Sequence, residues 1–134
     1  MRANVTAWLR AFETALTSGD KKAVAALFEM NGNWRDVLAF TWHLTPKVGA
    51  DEIAEGFVDR QSTTAARGFE INSDSTPPRR VMRMGRECIE AIYRFETMVG
   101  RCEGVLRLVP STDSGGAAGH KAWVISTSLD ALKG

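Results

Sequence analysis

The chain is poor in cysteine, proline, histidine and tyrosine, and neither sign of charge dominates. It has two cysteines, Cys88 and Cys102, four prolines, two histidines and one tyrosine. Two thiols are too few for the disulfide framework of a small secreted domain, and their spacing does not suit a zinc knuckle. A hairpin tip at Val99-Gly100 would set Cys102 opposite Thr97 and Cys88 opposite Ser111, so the thiols would not meet. Reduced cysteines in a cytoplasmic chain are the expectation. With 17 basic and 16 acidic residues the formal charge is +1, which gives no pull toward nucleic acid or a membrane surface. No apolar run approaches the roughly 18–20 residues of a bilayer span. The opening MRANVTAWLRAFETALTSGD lacks the apolar core and cleavage site of a signal peptide. His43 and His120 stand far apart with no carboxylate at ligand spacing, so no metal site is expected. No GxGxxG occurs, which removes dinucleotide binding by that mechanism. No cofactor is expected.

What is present fits one domain over residues 1–134, with 44% hydrophobic and 25% charged residues. Val5, Trp8, Leu9, Phe12 and Leu16 recur at helical spacing, with Asn4 as a possible cap and Ser18-Gly19 as the stop. Asp20 caps a second helix, DKKAVAALFEM, whose Val24, Leu27 and Phe28 share a face. A third begins near Asp51 and buries Ile53, Phe57 and Val58. From Arg67 the period becomes two. RGFEINS, CIEAIYRFETM, RCEGVLRLVPS and KAWVISTSLD read as strands, with Ile89, Ala91, Tyr93, Phe95 and Thr97 on one face. STDSGGAAGH reads as a mobile loop. The arginines of PPRRVMRMGR could bind an anion, and read first as the solubilising edge of a sheet. Helices followed by an antiparallel meander make an α+β fold, helices against a curved sheet.

NWRDVLAFTWH holds the most informative residue. As a strand it aligns Trp34, Asp36, Leu38, Phe40 and Trp42, an apolar stripe with one carboxylate in it. A carboxylate in such a wall loses hydration, which raises its pKa and makes it a better base near neutrality. The other reading of Asp36 is an ion pair with Arg35, Arg94 or Arg107 that fixes the sheet. The regular alternation holds only while VLAF stays extended.

TSGD followed by AVAALFEMNGNWRD resembles the opening of the nuclear transport factor 2-like, or ketosteroid isomerase-like (SnoaL-like), superfamily. WRDVLAFTW, GADEIAEGF, VLRLVP, KAW and LDALKG resemble, more narrowly, the N-terminal accessory domain of bacterial and fungal flavin-containing monooxygenases. The resemblance implies a cone: three N-terminal helices packed on a strongly curved mixed, mainly antiparallel sheet, with a cavity between. It places Asp36 at the position of the isomerases' proton-shuttling aspartate. The positions of their oxyanion donors fall at Phe12, which has no hydroxyl, and at Gly104, so steroid isomerisation is not expected.

The candidate site is therefore Asp36 as catalytic carboxylate, with Phe12, Trp34, Phe40, Trp42, His43 and Tyr93 as ligand-binding residues. Trp8 and Trp123 read as core, and Tyr93 equally well as core with its hydroxyl at the rim. Three functions are open. The chain is a small-molecule-binding or accessory domain with an apolar cavity, associated with a flavin monooxygenase. Alternatively it is a cofactor-free isomerase, cyclase or hydrolase with Asp36 as general base, or a non-catalytic dimerisation scaffold. Expected partners are a small apolar or aromatic ligand, a flavoprotein domain, and a second copy docked through the sheet at Ile92, Met98, Val105 and Val109.

Overall fold

A computed structural model describes residues 1–37, 39–40, 46–113 and 115–132 of the chain. Helix α1 (Arg2–Ser18) buries Val5, Trp8, Leu9, Phe12, Ala15 and Leu16, and ends at Gly19 in the left-handed conformation that glycine adopts without strain. It starts at Arg2 rather than beside Asn4. Helix α2 (Lys21–Ala25) is capped by Asp20, whose side chain accepts from Ala23 N at 3.1 Å. It is one turn long, much shorter than the periodicity predicts. Strand β1 (Phe28–Val37) begins where the helix was expected to continue. Tertiary pairing overrides local propensity here: Ala122 N donates to Leu27 O at 2.8 Å, and Phe28 lies opposite Ala122. Val24, Leu27 and Phe28 are buried all the same.

Strand β2 (Lys47–Val48) leads into helix α3 (Ala50–Thr64), which buries Ile53, Ala54 and Phe57 and carries Asp51 and Glu52 in its first turn, where the helix dipole favours them. Strands β3 (Arg67–Ile71), β4 (Arg79–Arg83), β5 (Arg86–Glu96), β6 (Gly100–Pro110) and β7 (His120–Leu132) complete the sheet. Its order is β2-β1-β7-β6-β5-β3, with β4 beside β5. Among the described residues, β1 and β7 run parallel and the other strand pairs are antiparallel. The sheet curls around the helices, as expected.

The inner face holds an aromatic core. Phe12 meets Trp8, Phe28, Phe57 and Phe69, with ring centroids 5.0–6.0 Å apart. Phe57 stacks on Trp34 at 3.7 Å, and Phe69 stacks on Phe95 at 4.7 Å. These rings bury large apolar areas, and that burial is the main force holding helices to sheet. On β5, Ile89, Ala91, Tyr93 and Phe95 face the helices in the expected alternation.

Four expectations need correction. The β5–β6 hairpin turns at Met98–Val99, with Thr97 N bonded to Gly100 O at 2.9 Å, so Cys102 lies opposite Phe95. Gly100 is the first residue of β6, a position that excludes a side chain because a Cβ there would stand 2.1 Å from the Ala131 carbonyl oxygen. Both cysteines are buried thiols, not joined in a disulfide. Val109, expected on the outer face, is fully buried beside a register shift in the β6–β7 pairing. The same irregularity leaves Trp123 half-buried, under the Arg86 guanidinium at 5.2 Å, rather than in the core. The loop before β7 is tied down: Gly116 N donates to Ala26 O at 2.8 Å, and Lys121 pairs with Asp113 at 2.9 Å.

Candidate functional site

Strand β1 alternates as its sequence dictates. Trp34 and Asp36 point inward, while Asn33, Arg35 and Val37 face out. Asp36 sits opposite Thr127 in the parallel β1–β7 pairing, so both side chains lie on the inner face. The Thr127 hydroxyl donates to Asp36 Oδ1 at 2.5 Å, and Trp34 Nε1–H donates to the same hydroxyl oxygen at 2.9 Å. The strand then ends. Phe40 N–H reaches back to both carboxylate oxygens, 3.1 Å from Oδ1 and 3.0 Å from Oδ2.

Asp36 thus anchors the turn that closes β1, and that turn packs Phe40 edge-on against Trp34 (5.6 Å) and Phe57 (4.9 Å). Phe40 remains in the apolar wall, though not through strand alternation. Asp36 is 3% exposed. A carboxylate so buried needs donors on its oxygens, and the neutral Phe40 N–H and Thr127 O–H are two of them. The arginines considered as its ion-pair partners lie elsewhere. Arg35 faces outward, Arg94 pairs with Glu70 and Asp74, and Arg107 pairs with Glu90.

Tyr93 is fully buried, and its hydroxyl donates to Ser126 O at 2.6 Å. The ring rests against its cross-strand partner Gly104, where a Cβ would lie 2.7 Å from the hydroxyl oxygen and 1.9 Å from Ser126 O. Burial pushes the phenol pKa well above its ordinary value, and the Asp36 charge adds to the effect. Tyr93 is a neutral donor already committed to the backbone. Phe12 lies deep among the rings of α1, α3 and the sheet.

Trp34, Asp36 and Phe40 therefore form one contiguous corner, with Tyr93 linked to it through the Ser126-Thr127 segment of β7. Phe12 is set apart, touching the corner through Phe57. Trp42 and His43 lie outside the described residues, as does Leu38. Thr127 is a site residue that sequence reasoning misses. The run Ser126-Thr127-Ser128 in an otherwise apolar strand is its signal, and only the β1–β7 register reveals which of the three faces inward.

Among the described residues, three hollows lie away from this corner. One of about 480 Å³ is lined by Lys21, Ala25 and Ala26 at α2 and by Ala50, Ala54 and Glu55 of α3. A second, about 620 Å³, is lined by Glu70, Arg94, Arg101 and Glu103 of the sheet, and a third, about 410 Å³, by Arg10, Thr14 and Ser18 of α1 with Ala23 and Leu27. No cluster of three metal-ligating side chains occurs among the described residues. No described helix is long and apolar enough to cross a membrane.

No protein-family model matches the chain, and no curated protein matches it. Solved structures do. A nuclear transport factor 2-like superfamily protein from Salmonella enterica superposes with a TM-score of 0.63 at 14% identity, over 99% of this chain and 93% of that one. A cystatin-like-fold domain of unknown function from Nostoc punctiforme gives 0.65 at 14% identity, over 98% and 80%. A putative calcium/calmodulin-dependent protein kinase II association domain from Thiobacillus denitrificans gives 0.61 at 10% identity, over 91% of each chain. Likeness at such identities is a likeness of fold. The chain has the cone-shaped fold of the nuclear transport factor 2-like proteins.

Proposed function

We propose that the chain is a small-molecule-binding domain without chemistry of its own, and that its ligand is a small apolar or aromatic molecule met at the Trp34–Asp36–Phe40 corner. The observation that carries this reading is a carboxylate fixed on the inner, aromatic face of the cone by the Phe40 N–H and the Thr127 hydroxyl. Such a group is a fixed acceptor in an apolar wall, the usual composition of a small-molecule site. Binding is favoured over proton transfer because a general base leaves an oxyanion that needs donors. The positions that supply them in the isomerases hold Phe12 and Gly104 here, and the Tyr93 hydroxyl is committed to Ser126 O. Trp42 and His43, which the sequence pattern adds to the ligand-binding set, lie outside the described residues.

Titration with aromatic ketones and phenols, followed by the Trp34 indole N–H resonance, tests the reading. Saturable shifts at that signal support it. Turnover of any of these compounds that Asp36→Asn abolishes would instead restore the general-base alternative.

The likeness of WRDVLAFTW and GADEIAEGF to a monooxygenase accessory domain extends the proposal to a partner: a flavoprotein that this domain serves. Adding the chain to a flavoprotein encoded beside it should change that enzyme's substrate-dependent nicotinamide oxidation. A second reading, an assembly scaffold, is favoured by the outer sheet face, where Ile92 and Val105 pair across β5–β6, and by Met98 in the adjoining turn, which is 64% exposed. Docking of two copies there predicts a homodimer in sedimentation velocity that Ile92→Lys dissociates.

A further inference from the structure

The outer face of the sheet carries a charge cluster that the cone interior does not use. Glu90 of β5 has Arg79 of β4 and Arg107 of β6 as its direct cross-strand neighbours. Arg107 Nε donates to Glu90 Oε2 at 2.9 Å. Arg83 reaches both oxygens, Nε to Oε2 and Nη2 to Oε1, each at 3.1 Å, and Arg79 Nη2 lies 3.4 Å from Oε1. Three guanidiniums share one carboxylate, which leaves two positive charges over. Exposure rises from the centre outward: 13% for the Glu90 side chain, 27% for Arg107, 36% for Arg83 and 54% for Arg79.

Arg86 closes one flank and is itself neutralised, bidentate on Glu29 at 2.6 and 2.8 Å and stacked over Trp123. Two residues along the strands from Glu90 and Arg107, Cys88 and Val109 are buried. Arginines that only keep an edge strand soluble extend into water, as Arg80 does beside Glu87 with both side chains more than 60% exposed. Arg83 and Arg107 instead fold inward onto a half-buried acid. Among the described residues Arg107 is bonded through Nε alone and Arg79 through one Nη2, so donors remain on both.

We propose that this cluster is a binding site for a doubly charged phosphoryl group, seated on the remaining guanidinium donors of Arg107 and Arg79, with Glu90 holding the arginines in place. A guanidinium presents paired donors that match phosphate oxygens, and a dianion cancels the two uncompensated charges. The phosphoryl group belongs to a soluble phosphomonoester or to a phospholipid headgroup, and two probes separate these sources.

The full chain is titrated with phenyl phosphate at constant ionic strength while the arginine Nε–H resonances are followed. In parallel it is floated with vesicles containing phosphatidic acid. Saturable shifts at Arg83 and Arg107, weakened at least tenfold in Arg79→Ala and unchanged in the remote surface variant Arg10→Ala, establish a site for soluble phosphomonoesters. Flotation lost in Arg79→Ala, without a phenyl phosphate response, establishes a headgroup site. Arg79 is the most exposed of the three arginines, so its removal leaves the fold intact, and Arg107→Met adds a second variant where it folds. Non-saturating shifts without flotation, or equal responses in Arg79→Ala and Arg10→Ala, would overturn the proposal.

Discussion

A single side chain, Asp36, closes β1, orients Thr127 and draws Phe40 into the aromatic wall. Replacing it with alanine would leave the Phe40 N–H and the Thr127 hydroxyl without this acceptor in a region that excludes water. Each stranded group costs about 1–3 kcal/mol, so Asp36→Ala should lose about 2–6 kcal/mol in urea denaturation. Asp36→Asn keeps an acceptor oxygen in place and should lose markedly less. Equal losses in the two variants would mean that Asp36 does not anchor the turn. Tyr93 gives a second prediction at this scale. Its folded-state pKa is raised, so its contribution is complete below the ordinary phenol value of 10.0 and fades as pH rises beyond it. Alkaline destabilisation should be measurably shallower in Tyr93→Phe. The sequence makes Asp36 conspicuous as a charge in an apolar stripe. It does not reveal the Thr127 hydroxyl and the Phe40 N–H as its donors, because one comes from a strand about ninety residues away and the other from a turn within the same segment.

The elements follow their local patterns except where a distant partner competes. Helices α1 and α3 and strand β5 match their periodicities closely, since one face of each is buried against the same core. Helix α2 and the β5–β6 turn do not. The first is cut short by pairing with β7, and the second is shifted because Gly100 and Gly104 are strand glycines that let other backbone approach. Gly104→Ala should therefore be among the most damaging small substitutions in the chain. A methyl group there would meet a backbone carbonyl that cannot rotate away, and a loss of about 3 kcal/mol or more, or failure to fold, is expected. On the outer face, burial works against ionisation of Glu90, but the hydrogen bonds and charges of Arg83 and Arg107 outweigh it and hold its pKa below the ordinary 4.5. A depressed carboxylate stabilises above its unfolded-state value and loses that contribution as pH falls through the folded one. Stability should accordingly decline on acidification below that ordinary value, and Glu90→Gln should flatten that limb while lowering stability at neutral pH.

At the level of the whole molecule, a mixed sheet curls around the leading helices and its inner face is packed with rings. The order of helices before an antiparallel meander is readable from the change of period at Arg67. The parallel β1–β7 contact is not, because β7 lies about ninety residues beyond β1 and no local signal marks which edge of the sheet it joins. Phe57, touched by Phe12, Phe28, Trp34 and Phe40, is the hub joining helix, sheet and candidate site. Its truncation to alanine should cost about 3–5 kcal/mol by thermal or chemical denaturation. It should also loosen the Trp34–Phe40 corner, so ligand affinity should fall with it.

The most direct measurement is a two-dimensional proton–nitrogen titration of the labelled chain with a series of small aromatic ketones and phenols. Trp34 Nε1–H, bonded to Thr127, serves as the reporter, and Trp34→Phe identifies its signal. A ligand site at this corner predicts saturable displacement of that resonance, together with the Phe40 and Thr127 amides, by at least one compound, and its loss in Asp36→Ala. A spectrum in which these three signals stay fixed across the whole series would contradict it.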